Sequence, residues 1–296
     1  MAQFAKSTFS HASYAVYRPS YPPSLYNTVL AYHHSPRETC IDLGCGHGVV
    51  ARYLSQTFSK VVGTDPSDGM IEQALSLTPH EVYPNLTFQN SSAESLKFLK
   101  SESVDLVVAG QAAHWFDTKV LFPEMGRILR KSGTLAFWGY KDHVFVDYPK
   151  ATKILNEYAY SNDERSLGPY WSQPGRSKVE NKLRDIEPPV NEFEDVRRVE
   201  YEPGTSGPKT GEGTMFLSRR MALEECMNYI RTWSAYSAWQ EKFQAKKRRD
   251  GGEGDVVDEM FDKMRSAEPD WQKDEAWMEK EVEVEWGSGL LLARRR

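Results

Sequence analysis

The chain has 296 residues, long enough for one large domain or a domain with an elaborated cap. A net charge of −5 argues against a general nucleic-acid binder, and three cysteines do not build a disulfide framework. The start Met1-Ala-Gln-Phe-Ala-Lys6 lacks the apolar stretch of a signal peptide and no apolar run reaches membrane-spanning length, so the expectation is a cytoplasmic protein without a membrane partner.

Residues 1–38 are aromatic and polar, with Phe9, Tyr14, Tyr17, Arg18, Pro19, Tyr21 and Pro22 ahead of a first helix at Leu25–Leu30. Two readings stay open for this arm. It packs over the domain surface, or it serves as a lid whose Tyr and Arg side chains offer stacking and anion-binding groups to a ligand.

Next comes an apolar run, Cys40, Ile41 and Leu43, carrying Asp42 near its end. Glycines follow at alternate positions, Gly44, Gly46 and Gly48, and then a helical pattern of Val49, Val50, Tyr53 and Leu54. A buried strand, a sharp turn and a helix start are predicted, with glycines where a ligand must approach the backbone without meeting a Cβ. The spacing is G-x-G-x-G; the dinucleotide fingerprint would place its third glycine at residue 49, which is Val. A second strand, Lys60–Asp65, ends in an acid 21 residues past Gly44, the separation at which doubly wound folds place a ribose-binding carboxylate. Pro66 and Ser67 start a helix with Met70, Ile71, Ala74 and Leu75 on one face, so Met70 is core or touches an adenine.

A third strand is expected at Leu86–Asn90, followed by a loop in which Ser92 caps a helix, meets an adenine edge together with Ala93, or does both. The fourth strand, Ser103–Gly110, is almost continuously apolar, as a central parallel strand should be. It runs into Gln111-Ala-Ala-His-Trp115 at the ligand edge, where His114 and Trp115 close a pocket wall or His114 moves a proton. A helix over Val120–Leu129, capped at Gly133, leads to a fifth strand at Thr134–Trp138. Five strands alternating with helices predict right-handed crossovers and a parallel sheet covered on both faces.

Beyond residue 139 the pattern loosens. Residues 150–185 read as helical and polar, Phe193–Tyr201 as a strand, and 203–213 as a mobile loop. Arg220–Phe243 reads as one helix bearing Trp233 and Tyr236, whose spacing suits either core or a substrate wall. The basic run Lys246–Arg249 is expected to face solvent, and Glu281–Arg294 to form a strand broken at its glycines. The parts are thus an arm and first helix at 1–38, a nucleotide-binding core at 39–145, and a region at 146–296 that completes the sheet around an inserted helical cap at about 215–280.

The ordered set Asp42-Leu-Gly-Cys-Gly-His-Gly48, Asp65, Ser92-Ala-Glu94, Asp105-Leu-Val-Val108 and Gly133 resembles the class I S-adenosylmethionine-dependent methyltransferases. Tyr17-Arg-Pro-Ser-Tyr-Pro22, Gln111–Trp115, Phe137-Trp138 and Thr232–Tyr236 look like the fungal trans-aconitate methyltransferase group of small-molecule enzymes. The resemblance implies an α/β fold: a seven-stranded, doubly wound, Rossmann-like sheet, its last strand antiparallel, with a helical cap. It implies S-adenosyl-L-methionine as cofactor, S-adenosyl-L-homocysteine as product and no metal. Asp42 would lie near the cofactor's amino group, and Gly44, Cys45 and Gly46 under its methionine part. Asp65 and Pro66 would lie at the ribose, Met70, Ser92 and Ala93 around the adenine, and Gln111 and His114 at the methyl end. Tyr14, Tyr17, Arg18, Trp115, Trp233 and Tyr236 would line the substrate. His47 departs from the Thr or Ser that many members carry. The expected reaction is methylation of a carboxylate or hydroxyl oxygen of a metabolite, in secondary metabolism, with monomer and homodimer both open. The rivals are a nicotinamide dehydrogenase of the same fold, which the glycine spacing disfavours, a macromolecule methyltransferase acting on RNA or protein, and a non-methylating binding protein or cyclase on the same fold.

Overall fold

In the computed structural model, residues 17–296 except 245, 250 and 274 are described; Tyr14 lies outside them. The elements run α1 (Pro23–Tyr32), β1 (Thr39–Leu43), α2 (Val49–Leu54), β2 (Lys60–Asp65), α3 (Asp68–Ser76), β3 (Leu86–Asn90), β4 (Val104–Gly110), a 3-10 turn at Ala113–Trp115, α4 (Thr118–Ile128) and β5 (Leu129–Phe145). There follow α5 (Pro149–Tyr160), α6 (Gly175–Glu180), β6 (Phe193–Glu202), β7 (Glu212–Gly213), β8 (Ser218–Ala222), α7 (Leu223–Ile230), α8 (Ser234–Lys242), α9 (Val256–Ala267), α10 (Pro269–Gln272) and β9 (Glu281–Arg295).

The strands hydrogen-bond in the order β3-β2-β1-β4-β5-β9-β6-β7, with β8 beside β9. The pairs β2–β3, β1–β2, β1–β4 and β4–β5 are parallel, whereas β6–β7 and β8–β9 are antiparallel. The expected doubly wound sheet is therefore present, extended by the short strands β7 and β8. Its chain reversal at β1 opens the crevice between β1 and β4, the place where such sheets bind ligands.

Two compact units can be told apart. One holds Ser20–Lys141, Pro174–Glu200 and Ser288–Arg296. Its core joins Ile41 and Leu43 of β1, Val107 and Ala109 of β4, Leu135 and Phe137 of β5, and the buried face of α4. The other holds the described part of Met1–Pro19 with Asp142–Gln173 and Tyr201–Gly287, and buries Phe145, Tyr229, Trp233, Phe261, Trp271 and Trp286.

Four local expectations are corrected. The fourth helix ends at Ile128 because Leu129 is already extended, and the left-handed residue of the following bulge is Ser132 (φ 65°), not Gly133. Gly133 is required for space instead, since a Cβ there would stand 2.8 Å from the Arg130 carbonyl oxygen. The fifth strand continues to Phe145 rather than stopping at Trp138.

The pattern over Arg220–Phe243 resolves into β8 and two helices. Ser218–Ala222 pairs with Glu281–Glu285, where an Arg220–Glu281 ion pair at 2.7 Å favours the strand, and Ala222 donates its amide hydrogen to Glu225 to start α7. Between the helices the Thr232 hydroxyl donates to the Tyr229 carbonyl and Trp233 turns extended, so side chain and backbone compete and the helix breaks. Finally, β9 runs unbroken through its glycines; Gly289 has no Cβ because the Lys182 backbone lies directly against it.

Candidate cofactor and active site

The glycine turn is built as its spacing demands. Gly44, Gly46 and Gly48 all have positive φ (62°, 52° and 85°), conformations that cost little only for glycine. The turn is stapled to β2 twice: Cys45 donates its amide hydrogen to the Thr64 carbonyl at 2.9 Å, and Gly46 donates to an Asp65 carboxylate oxygen at 3.0 Å. The other Asp65 oxygen accepts from the Ser67 amide at 2.9 Å, and Ser67 caps α3. A carboxylate oxygen can accept more than one hydrogen bond, so holding the turn does not by itself bar Asp65 from a ribose hydroxyl.

Asp42 is the anomaly of this site. It is buried within the sheet, yet neither carboxylate oxygen has a hydrogen-bond partner among the described residues. Burial pushes its pKa up to about 8; the nearby charge of Asp65 adds to that rise, while the Ala51 amide, close but outside hydrogen-bond geometry, and Arg52 oppose it. An uncompensated buried carboxylate costs several kcal/mol on the order-of-magnitude scale, unless a cation arrives to meet it. Beside it lies a cradle: a Cβ at Gly46 would touch nothing closer than the Met70 sulfur at 4.0 Å. An orphaned acid under an open glycine turn fits an ammonium-bearing ligand.

The remaining expected contacts fall in the same unit. Met70 is buried, Pro66 is exposed, and the Ser92 hydroxyl donates to Glu94 while accepting from the Glu94 amide at 3.2 Å, with Ala93 buried beside it. Burial pushes the Cys45 thiol up and holds the His47 imidazole down at about 4, with Arg52 reinforcing the latter. His47 is therefore neutral at pH 7.

Gln111 adopts a left-handed backbone (φ 54°), and its side chain closes on the Tyr140 backbone, donating to the carbonyl at 2.9 Å and accepting from the amide at 2.7 Å. Its amide group thus fixes β5 to the end of β4. His114 is buried against Trp115, with ring centroids 4.8 Å apart, and α6 presses on the pair at Gly175. Trp115 is partly exposed.

The other proposed substrate residues lie in the second unit. The Arg18 guanidinium sits 5.5 Å from the Tyr229 ring centroid and donates to the Thr232 carbonyl at 3.0 Å, while Tyr17 is half-buried. Trp233 is packed among Trp171, Tyr229 and His143. The Tyr236 hydroxyl donates to Asp255 at 2.7 Å, a carboxylate already paired with Arg231 at 2.9 Å in a buried cluster with Asp258. Tyr236 and Trp233 therefore have packing roles whatever else they do.

Sequence reasoning passed over His143, which is buried with no partner for either ring nitrogen among the described residues. Nothing in its neighbourhood of the sequence marks it, because its surroundings come from α7 and β9. Asp105, quoted above only as part of a motif, proves structural: it accepts the Glu38 and Thr39 amide hydrogens at 3.1 and 2.8 Å and pairs with Arg130.

Comparison with known proteins matches residues 41–137 to a methyltransferase domain model. The chain is 32% identical over 244 residues to a probable S-adenosylmethionine-dependent methyltransferase, CRG1, of Saccharomyces cerevisiae, spanning 80% of this chain and 82% of that one. It is 30% identical over 227 residues to a putative methyltransferase of Dictyostelium discoideum, spanning 77% and 76%. A solved structure, a putative type II methyltransferase from Anaeromyxobacter dehalogenans, superposes with a TM-score of 0.68 at 25% identity over 94% of this chain and 98% of that one. The glycine turn, the orphaned acid and these likenesses converge: the chain belongs to the S-adenosylmethionine-dependent methyltransferases, class I. Its cofactor is accordingly S-adenosylmethionine. Among the described residues no helix is long and apolar enough to cross a membrane.

Proposed function

We propose that the enzyme methylates an oxygen of a small metabolite, a carboxylate in the first instance and a hydroxyl in the second. The observation that carries this is the turn after β4, where His114 and Trp115 present an imidazole and an indole, and no Lys or Arg lies between Gln111 and Asp117. A polyanion such as RNA finds little to hold there, and the basic run elsewhere is partly spent: Arg249 pairs with Asp262 at 2.5 Å, and Lys246 lies 3.8 Å from Glu259. The three buried free thiols suit a reducing, cytoplasmic setting.

When bound, the cofactor supplies an electrophilic methyl group on a positively charged sulfur. Asp42 would meet its ammonium group, Asp65 its ribose, and Met70 with Ser92 and Ala93 its adenine, while Gly44–Gly46 let its methionine part lie against the backbone. The protein's work is then alignment and exclusion of water. A carboxylate acceptor is ionised at neutral pH and needs no base, so His114 orients it; a phenol or alcohol would need His114 as base.

The test is release of S-adenosylhomocysteine over a panel of carboxylic acids and phenols, with structured RNA in parallel. Turnover on RNA and on none of the small molecules would replace this proposal. For a carboxylate, His114→Ala should lower kcat/KM about tenfold and leave the shape of the pH–rate profile unchanged. Loss of a pH-dependent limb in the variant would instead assign His114 as the base.

A further inference from the structure

The parallel registers Asp42↔Val108, Val108↔Ala136 and Gly110↔Trp138 place Asp42, Val108, Gly110, Ala136 and Trp138 on one face of the sheet. Their neighbours Ile41, Val107, Ala109, Leu135 and Phe137 fill the core on the opposite face. Trp138 lies flat over Gly110 at the carboxyl end of β4: a Cβ on that glycine would stand 3.0 Å from the indole Nε1 and 3.1 Å from Cε2 and Cζ2. The ring is held edge-on by Tyr21 and Tyr26, with centroids 5.5 and 6.2 Å away, and its carbonyl accepts the Gln111 amide at 2.8 Å.

The indole N–H is buried and has no acceptor among the described residues. An indole nitrogen can only donate, and a buried donor left unmade costs about 1–3 kcal/mol. Phenylalanine would fill the place without that cost. Gln111, the other amide at this end, is occupied with the Tyr140 backbone and does not supply the missing acceptor.

Position across the sheet says what could. The ribose and adenine residues stand at β2 and β3, and the orphaned Asp42 at β1. Trp138 on β5 is two strands further on, about 10 Å from β1 in the direction away from the adenine. We propose that the Trp138 indole N–H is a positioning donor for the methyl acceptor, donating a hydrogen bond to one oxygen of a carboxylate while the other oxygen faces the donor methyl. This rests on the small-molecule O-methylation proposed above and names the residue that selects an oxygen-bearing acceptor.

The test uses the full chain, its Trp138→Phe variant, and trans-aconitate, citrate and benzoate as probe acceptors. In the 15N-indole spectrum of the protein saturated with S-adenosylhomocysteine, the cross-peak that Trp138→Phe removes from the eight tryptophans should move downfield when a turned-over acceptor is added. The variant should keep cofactor affinity within about twofold and raise acceptor KM about tenfold, with Trp138→His, which retains an N–H, recovering part of the loss. Acceptor turnover with unchanged KM in Trp138→Phe, or no moving cross-peak in the wild-type spectrum, overturns the role of Trp138 alone. Weakened cofactor binding with unchanged acceptor KM also overturns it, by assigning the N–H to the cofactor's own carboxylate. Should Trp138→Phe fail to fold, Trp138→His assigns the cross-peak and its movement in the wild-type spectrum decides. Cofactor binding without turnover of any oxygen acceptor takes down the O-methylation proposal and this one with it.

Discussion

Asp42 and His143 are both buried, titratable and without a hydrogen-bond partner among the described residues, yet they sit in opposite surroundings. Burial drives both toward the neutral form, raising the acid to about 8 and lowering the base to about 4. The glycine turn that follows Asp42 is open at Gly46, where a Cβ would meet nothing nearer than the Met70 sulfur at 4.0 Å, though it is close-packed at Gly44 and Gly48. Around His143 the chain is closed, with Phe145, Tyr229, Trp286 and Trp233 rings 4.8, 5.4, 6.0 and 6.5 Å away, centroid to centroid. An unmet polar group beside empty backbone is poised for a ligand; one walled in by aromatic rings shapes the stability of the apo fold.

The largest effect expected from this contrast is acid sensitivity that belongs to His143. Its folded pKa lies below its unfolded value, so between about pH 6.5 and 4 the unfolded chain binds a proton that the folded chain refuses. That stability is present above pH 6.5 and is lost as pH falls through the window, up to about 3 kcal/mol for a shift of this size. The charge of Asp142 resists the shift without reversing it. His143→Phe should flatten the difference between urea midpoints at pH 4.5 and 7. His33 and His47 are also depressed but are common to both proteins, so they cancel. Equal pH dependence in the two chains would show that the ring cluster does not hold the imidazole neutral.

Asp42→Asn should act in the other direction. The raised folded pKa means that the wild-type apo protein loses stability as pH rises from about 4 to 8, as the buried carboxyl is forced to ionise. Asparagine keeps the neutral shape, so the ligand-free variant should melt higher at pH 8 than the wild type. Cofactor affinity should fall roughly 30-fold, about 2 kcal/mol, because a charge-assisted bond to the ammonium is gone. Calorimetric titration at pH 6 and 8 adds a second check: wild-type affinity rises with pH as Asp42 ionises, and the variant's does not. A variant that is both less stable and equally tight would remove Asp42 from the site.

The same contrast explains what could be read from sequence. The site's first half is local: Asp42, three glycines and Asp65 are fixed by strand–turn–helix chemistry within 24 residues, counting from 42 to 65, and each strand up to β4 lies within a residue or so of its expected place. Gln111 and Trp138 were visible as motifs, but their roles were not, because pairing of a side chain with the Tyr140 backbone depends on the β4–β5 register. His143 left no trace, since three of the four rings around it, Tyr229, Trp233 and Trp286, come from more than eighty positions away. In the second unit the helical spacing of 220–243 was real, but it gave way to a strand at β8 once β9 offered partners, and to a break where Thr232 bonds its own backbone.

The finest test separates glycines needed for space from glycines needed for ligand. Gly48 and Gly46 both have positive φ, so alanine at either carries a backbone cost of roughly 1 kcal/mol. At Gly48 the new Cβ would also stand 2.6 Å from the Phe88 ring, so Gly48→Ala adds steric overlap to strain and should lower the melting temperature more. At Gly46 the Cβ meets only the Met70 sulfur, at 4.0 Å, and the apo fold should give up little beyond the backbone term. Because that Cβ enters the cradle beside Asp42, Gly46→Ala should nevertheless weaken S-adenosylmethionine binding by more than its effect on stability. If the two variants lose affinity only in proportion to their loss of stability, the open space above Gly46 is not where the cofactor lies against the backbone.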